Sequence, residues 1–517
     1  MPATQAFAER VLRLDEVPIG ELDPHKALDF IDSIILFNIY DVLIWPSPSG
    51  AFEGQLAESW NVSADGTAYT FTLRPGIKFH DDSELNADDV VYSFNRSVAL
   101  AQGYAGLYSS SKVEKVSGMQ VRFTLPSANS AFLASLVRLA ILNSDLVKKN
   151  QESGDFGDNG DYGQAFLSVN DAGTGPYRVD SHKMQELTVL RLTDNYFEPV
   201  AAKAPDTIRI RYGLESASLR TLMARGNHEL SSQWHSPEVF RALEREDNVE
   251  LTTESGVGYL VLPINTQKPP TDDVHFRRAM ALAVDYAAML SIERVSDDLT
   301  AAQRSRTALP SALFGYDKDA PVFEQNLEAA RAELAKSKYA NRLDEFEIEL
   351  AWVAAVAKEE KVAFLLQQNF AQIGIKSKVV KVPWVLFADR ASSIEATPHV
   401  GQLYFSATYP DPLSLLGDYH SSVRGSYLSM WWLNDSEVDR LIDATKAEID
   451  DNKREDLLKQ LQRRIIDLAP AIYAYETEAL FAKASYVSAP SLDDKSLTVP
   501  VMGGNFRFHT WSVDREQ

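Results

Sequence analysis

Hydrophobic and polar positions alternate most clearly between residues 51 and 125, where Tyr69, Phe71 and Leu73 fall on one face and Thr70 and Thr72 on the other. A period of two marks a half-buried strand. Asp65-Gly66 just before and Pro75-Gly76 just after are turn signals, so the pattern predicts a hairpin within a β-rich block. Asn86 stands where a helix cap belongs. Asp88 and Asp89 follow in the first turn, where negative charge suits the helix dipole, ahead of Val90, Val91 and Phe94. His80, beside Asp81 and Asp82, reads as part of a surface turn.

Further along, 151–171 is rich in Gly, Asp and Asn and has the composition of an irregular surface excursion. GTGPYRVD at 173–180 punctuates the chain before the strand-like LTVLRL at 187–192. NTQKPPTDD at 265–273 separates the strand-like YLVLPI from a helix with Phe276, Met280, Ala283 and Val284 at helical spacing. Helices near 325–336 and 358–373 then alternate with strands near 345–353 and 375–381, which implies βαβ units and a mostly parallel sheet. FRFHTW at 506–511 returns to strand character.

A chain of 517 residues exceeds one ordinary core and implies two or three domains. The net charge of −22, from 51 basic against 73 acidic residues, disfavours polyanionic partners, so neither nucleic acid nor an anionic membrane surface is expected to bind. Without cysteine there are no disulfides, thiolate metal sites or thiol nucleophiles. The most apolar stretch, Ile34 to Trp45, is interrupted by Asn38 and Asp41 and falls well short of a membrane span. The opening MPATQAFAERV has no basic region followed by an apolar one, so it does not read as a secretion signal.

Motifs for catalysis are absent: there is no GxSxG elbow, no GxxxxGKS/T loop, no HExxH helix and no GxGxxG fingerprint, and the nine histidines do not pair at metal-ligand spacing. No catalytic residue, metal or cofactor is therefore expected. A glycosidase or peptidase built on paired carboxylates needs no local motif, which keeps a hydrolase as the rival from another class.

Five segments, taken in order, resemble the extracellular solute-binding family that serves dipeptide, oligopeptide and nickel ABC importers. They are LAESWNVSADGTAYTFTLRPGIKFHDDSELNADDVVYSFNR (56–96), GTGPYRV (173–179), NTQKPPTDDVHFRRAMALAVD (265–285), FLLQQNFAQIGIKSKV (364–379), and YPDPLSLL (409–416) with LNDSEVDRLI (433–442). The resemblance implies an α/β, bilobed periplasmic-binding-protein fold with hinge-linked lobes. Lobe one would be 1–47, 172–265 and 483–517, with an extra β-rich subdomain at 48–171, and lobe two would be 266–482. It also implies a monomeric periplasmic protein without a membrane-inserted segment of its own, which hands a small polar solute to an ABC permease and its ATPase subunits. Its location would follow from a leader outside this sequence. Delivery to a receptor or a folding client rather than to an importer is a further alternative.

The same resemblance places Tyr404, Ser406, Thr408, Tyr409 and Asp411 in the stretch that meets the ligand from lobe two. In peptide-binding relatives an acidic residue holds the peptide's α-ammonium at the place occupied here by Thr408. A neutral hydroxyl cannot pair with that cation, and burying it unpaired costs several kcal/mol. The expected ligand is therefore a non-peptide solute such as a sugar, an opine-like conjugate or a modified small molecule; a peptide held by Asp411 is the alternative. Aromatic and polar candidates for the remaining walls are Tyr104 and Tyr108 in the extra subdomain, Gln233, Trp234 and His235 in lobe one, and Trp384, Trp431 and Trp432 in lobe two. Arg424 is a candidate partner for an anionic group on the ligand.

Overall fold

The computed structural model describes residues 9–17, 21–296, 299–354 and 356–515. The chain divides into two compact units, Met1–Glu254 with Leu480–Gln517, and Ser255–Ala479. The backbone passes between them inside two long strands, Val249–Pro263 and Ala471–Ala484. The Pro-rich 265–273 segment follows the end of the first of these strands and so belongs to the second unit.

The first unit is built on a four-stranded sheet in the order Val11–Glu16, Thr207–Tyr212, Leu187–Leu192, Tyr177–Lys183, with the first pair parallel and the other two antiparallel. The helix Phe30–Ile39 is buried along most of its length. The two polar residues that break the apolar run at its end have structural partners. Asn38 donates to the carbonyls of Ile34 (2.8 Å) and Phe506 (2.6 Å) and accepts from Phe508 N at 2.9 Å. Asp41 accepts from Gln55, Thr174 and Tyr196 at 2.8–2.9 Å. The glycines of GTGPYRV are needed where the chain crosses this helix end, because a Cβ at Gly173 or Gly175 would strike the backbone of Ile39.

A second sheet of this unit runs Ala57–Val62, Ala68–Leu73, Gln120–Thr124, Lys112–Ser117, with every neighbour antiparallel. Tyr69, Phe71 and Leu73 are buried as their alternation requires. They join a core with Phe94, Tyr108, Phe123 and Phe132. The helix Ala87–Leu100 starts where Asn86 caps it: Asn86 Oδ1 accepts from Asp88 N at 2.8 Å, and Asp89 Oδ2 accepts in return from Asn86 N at 3.0 Å. His80 does not lie on an exposed turn. Its Nδ1 is 2.5 Å from Asp171 and its Nε2 2.9 Å from the Gly175 carbonyl, so it pins the hairpin to the 171–175 segment.

In the second unit the strands Ile348–Val353 and Ser377–Val382 are parallel and joined by the helix Ala357–Ala371, as the alternation of elements indicates. The larger sheet differs from the expected parallel layer. Its order is Ala302–Arg304, Ala471–Ala484, Val249–Pro263, Leu403–Ser406, and both outer pairs are antiparallel. Leu260, Leu262 and Ile264 pack there with Phe276, Met280, Trp352 and Phe370. FRFHTW also differs from expectation. Phe508–Thr510 form a 3-10 turn ahead of a two-residue strand, Ser512–Val513, because Phe506, Phe508 and Trp511 all turn inward onto one another instead of alternating.

Candidate functional site

In the second unit the candidate residues cluster on one strand and the turn after it. Tyr404 and Ser406 lie on Leu403–Ser406, an edge strand paired only with Val249–Pro263 among the described residues. Ser406 stands opposite Gly258, whose missing side chain leaves room for the Ser406 hydroxyl. The Tyr404 hydroxyl is 3.0 Å from that of Tyr475 and 3.3 Å from Glu293, which in turn holds the Tyr475 hydroxyl at 2.6 Å and Lys358 at 3.2 Å. The Lys358 ammonium also lies 4.7 Å from the Tyr404 ring centroid. Tyr404 is thus fixed by a charged network in which Glu293 has its cation.

Beyond the strand, Thr408 is half-buried and Tyr409 buried. Asp411, named as a possible anchor for a ligand amine, is already engaged. Both its oxygens accept from Arg454 Nη2, at 2.6 and 2.8 Å, and one also caps Leu413 N at 2.9 Å. Burial lifts its carboxyl above the ordinary range, against the pull of Arg454. An aspartate so held closes a turn and has no strong site left for a guest.

The aromatic candidates divide by exposure. Trp431 is buried, stacked on Tyr419 at 4.0 Å with the planes 4° apart, and donates to the Asp418 carbonyl at 3.1 Å. Tyr108 is buried with its hydroxyl 2.7 Å from Ser97. Tyr104 is buried under the guanidinium of Arg138, 4.7 Å from its centroid, and donates to the Leu28 carbonyl at 2.8 Å. These three rings are buried in this structure, each against protein neighbours. Trp432 is half-buried and donates to Thr397 at 2.9 Å. Trp384 is 44% exposed, at the start of the helix Trp384–Arg390, with Tyr427 edge-on at 5.1 Å. Arg424 is exposed and donates through Nε to the Ser421 carbonyl at 2.6 Å.

In the first unit, Gln233 is half-buried, Trp234 is 42% exposed and His235 is half-buried. His235 Nε2 is 2.8 Å from Asp15 Oδ2, and His228 Nε2 is 2.8 Å from Asp15 Oδ1. Burial works against the charge on Asp15, but the two histidines outweigh it and hold the carboxyl below the usual range. Its neighbour Glu16 accepts from Ser232 at 3.1 Å and is pushed up to about 8, by burial first and by the Asp15 charge second. The polar end of strand Val11–Glu16 thus presents the Gln-Trp-His run on a hydrogen-bonded base. Sequence reading misses Asp15, because its partners arrive more than 200 residues later. Among the described residues no group of His, Asp or Glu is arranged to hold a metal ion, and no helix is long and apolar enough to cross a membrane.

Both units are mixed α/β and carry polar and aromatic candidate residues at strand ends, and His235 also meets the Ser216 hydroxyl, 3.4 Å from its Nδ1. Residues 51–427 match the bacterial extracellular solute-binding proteins, family 5, and the chain belongs to that family. It is 28% identical over 446 residues to the dipeptide-binding protein of Escherichia coli K12, covering 81% of this chain and 79% of that protein. Its fold matches the periplasmic binding protein DppA of Helicobacter pylori in complex with the peptide STSA, with a TM-score of 0.80, 23% identity and 98% of both chains covered. It also matches AgaA of A. tumefaciens R10 in complex with agropinic acid, with a TM-score of 0.78, 21% identity and 99% of both chains covered.

Proposed function

We propose that the protein captures short peptides outside the cytoplasm and presents them, unaltered, to an ABC permease and its ATPase subunits. The observation that carries this reading is the outer edge of Leu403–Ser406, which has no strand partner among the described residues. An extended peptide backbone supplies alternating donors and acceptors that a strand edge can pair, whereas a sugar ring does not. The likeness to the E. coli dipeptide-binding protein supports the same ligand class. Capture by hinge closure, which the family implies, stabilises the closed state only through the ligand's differential affinity for it. A non-peptide solute such as an opine-like conjugate is the second reading, supported by Thr408 at the usual acidic place and by the likeness to AgaA.

A thermal-shift panel of di- to pentapeptides, oligosaccharides and opine-like conjugates separates the two. A true ligand at 100 times its Kd adds roughly 2.7 kcal/mol of stability. The largest shift is expected from a peptide; a larger shift from a conjugate or a sugar would replace this reading with the second.

A further inference from the structure

The polar end of the strand Val11–Glu16 holds the 228–235 segment in place. Asp15 Oδ1 accepts from His228 Nε2 at 2.8 Å and from Ser232 N at 3.3 Å, and its Oδ2 accepts from His235 Nε2 at 2.8 Å. Glu16 accepts from the Ser232 hydroxyl at 3.1 Å, and that hydroxyl in turn accepts from Trp234 N at 3.3 Å. Leu230 bridges Leu14 of the same strand. Both carboxylates are buried, while Trp234, between these anchors, is 42% exposed. A surface ring on a buried, hydrogen-bonded base stands where the base puts it.

The base can change charge without coming apart. An ionised carboxylate only accepts, so each imidazole donates to Asp15 through Nε2 and gains or loses its second proton at Nδ1. Nδ1 of His235 lies 3.4 Å from the hydroxyl of Ser216, the first residue of the helix Ser216–Ala224, and a hydroxyl donates to a neutral ring and accepts from a charged one. His228 is buried, so the half-buried His235 is the ring within reach of solvent protons. The acids facing the pair are Asp15 and Glu16 on the strand and Glu229 beside His228, the last already bonded to Arg13 at 2.9 Å and to Tyr486 at 3.0 Å. From the adjoining helices, Arg220 pairs with Glu246 and Glu238 with Arg241, and Phe240 meets His235 with the rings T-shaped at 6.4 Å. Asp15 has no lysine or arginine partner among the described residues. A proton on His235 therefore turns a neutral hydrogen bond into an ion pair, roughly twice as strong, and its loss leaves two adjoining acids with weaker donors.

We propose that Asp15 is a positioning residue for ligand capture, which through His235 fixes the stance of Trp234, and that the charge on His235 makes affinity for a guest packed on Trp234 rise as pH falls through the imidazole range. A wall held firmly before the guest arrives loses less freedom on binding, so the charged form binds tighter. The proposal rests on the peptide reading for the probe and on the geometry of this strand end for the residues.

The test is calorimetric titration with trialanine, at about pH 5.5 and about pH 7.5, of the full chain, of Asp15→Asn and of His235→Gln. The natural chain is expected to bind about fivefold tighter at the lower pH, the gain from making one neutral bond charge-assisted. In each variant, checked by a single cooperative melt, that ratio should fall to about 1, because neither can form the ion pair between His235 and Asp15. A carboxylate with a merely structural role would weaken binding equally at both pH values and leave the ratio standing. Equal affinity of the natural chain at the two pH values, or a ratio that survives in either variant, overturns the proposal and leaves the peptide reading intact. The comparison within the natural chain needs no variant, so misfolding cannot shelter the proposal. If trialanine binds at neither pH, the peptide reading fails, and acrylamide quenching of the Trp234 emission, taken as the natural chain minus Trp234→Phe, is measured without ligand. Lower accessibility at the lower pH, lost in His235→Gln, upholds the proposal; equal accessibility, or a difference that survives in that variant, overturns it.

Discussion

Asp411 and Asp418 share one short stretch of chain and one kind of side chain, yet their surroundings differ. Asp411 is neutralised by Arg454, with both side chains buried, so Asp411→Ala leaves a guanidinium stranded and is expected to cost about 3–5 kcal/mol in urea unfolding. Asp418 has no such partner, and burial pushes its carboxyl up to about 8. An acid raised in the folded state loses stability as pH rises from its unfolded value near 4 through its folded value. At pH 7 the Asp418→Asn variant escapes that loss and should be more stable than the natural chain without ligand, on the order of 1–2 kcal/mol. A less stable Asp418→Asn would mean that the carboxylate has a stabilising role at rest. Sequence reading does not tell the two aspartates apart, because the deciding group, Arg454, arrives 43 residues after Asp411.

Strands and caps whose signal is local are legible in the sequence alone. The Tyr69–Phe71–Leu73 alternation, the Asn86 cap and the helix after Asp273 all depend on neighbours within a few residues. Strand pairing is not local, which is why the alternation of helices and strands implies a parallel layer where the sheet holding Leu403–Ser406 is antiparallel in both outer pairs. Tyr104, Tyr108 and Trp431 show the same limit: an aromatic looks alike in a wall and in a core until its neighbours are known. The edge strand also yields a prediction at this scale. A Cβ at Gly258 would approach the Phe405 carbonyl to 2.8 Å and the Ser406 hydroxyl to 2.6 Å. Gly258→Ala should therefore displace Leu403–Ser406 and weaken peptide affinity by about tenfold, with stability lowered by about 1–3 kcal/mol. Affinity left unchanged by Gly258→Ala would take the strand edge out of the binding site.

For the whole molecule, buried titratable groups set a pH profile. Burial pushes Glu16 and Glu359 up to about 8 and Glu254 up to about 7, and Asp418 behaves alike. From about pH 5 to about 8 the folded chain holds protons that the unfolded chain has released, so this contribution to stability falls as pH rises across that window. On the acid side His25 and His399 are held down to about 4 and His509 to about 3, chiefly by burial, and must take up protons to unfold. The histidines' contribution is lost as pH drops from about 6.5 to about 4, and that of carboxylates held low, such as Asp15 and Asp435, only below about 4. Melting temperatures measured across about pH 5–9 should decline as pH rises from about 6.5 to 8; a plateau across that range would contradict the assignment of buried acids.

The central claim is that this chain holds a short peptide and releases it unchanged. Native mass spectrometry of the protein, after incubation with an equimolar mixture of short peptides, oligosaccharides and opine-like conjugates, tests it most directly. The account predicts one bound species with the mass of an intact peptide bearing a free amino terminus. A bound sugar or conjugate, or peptide fragments absent from the starting mixture, would contradict it.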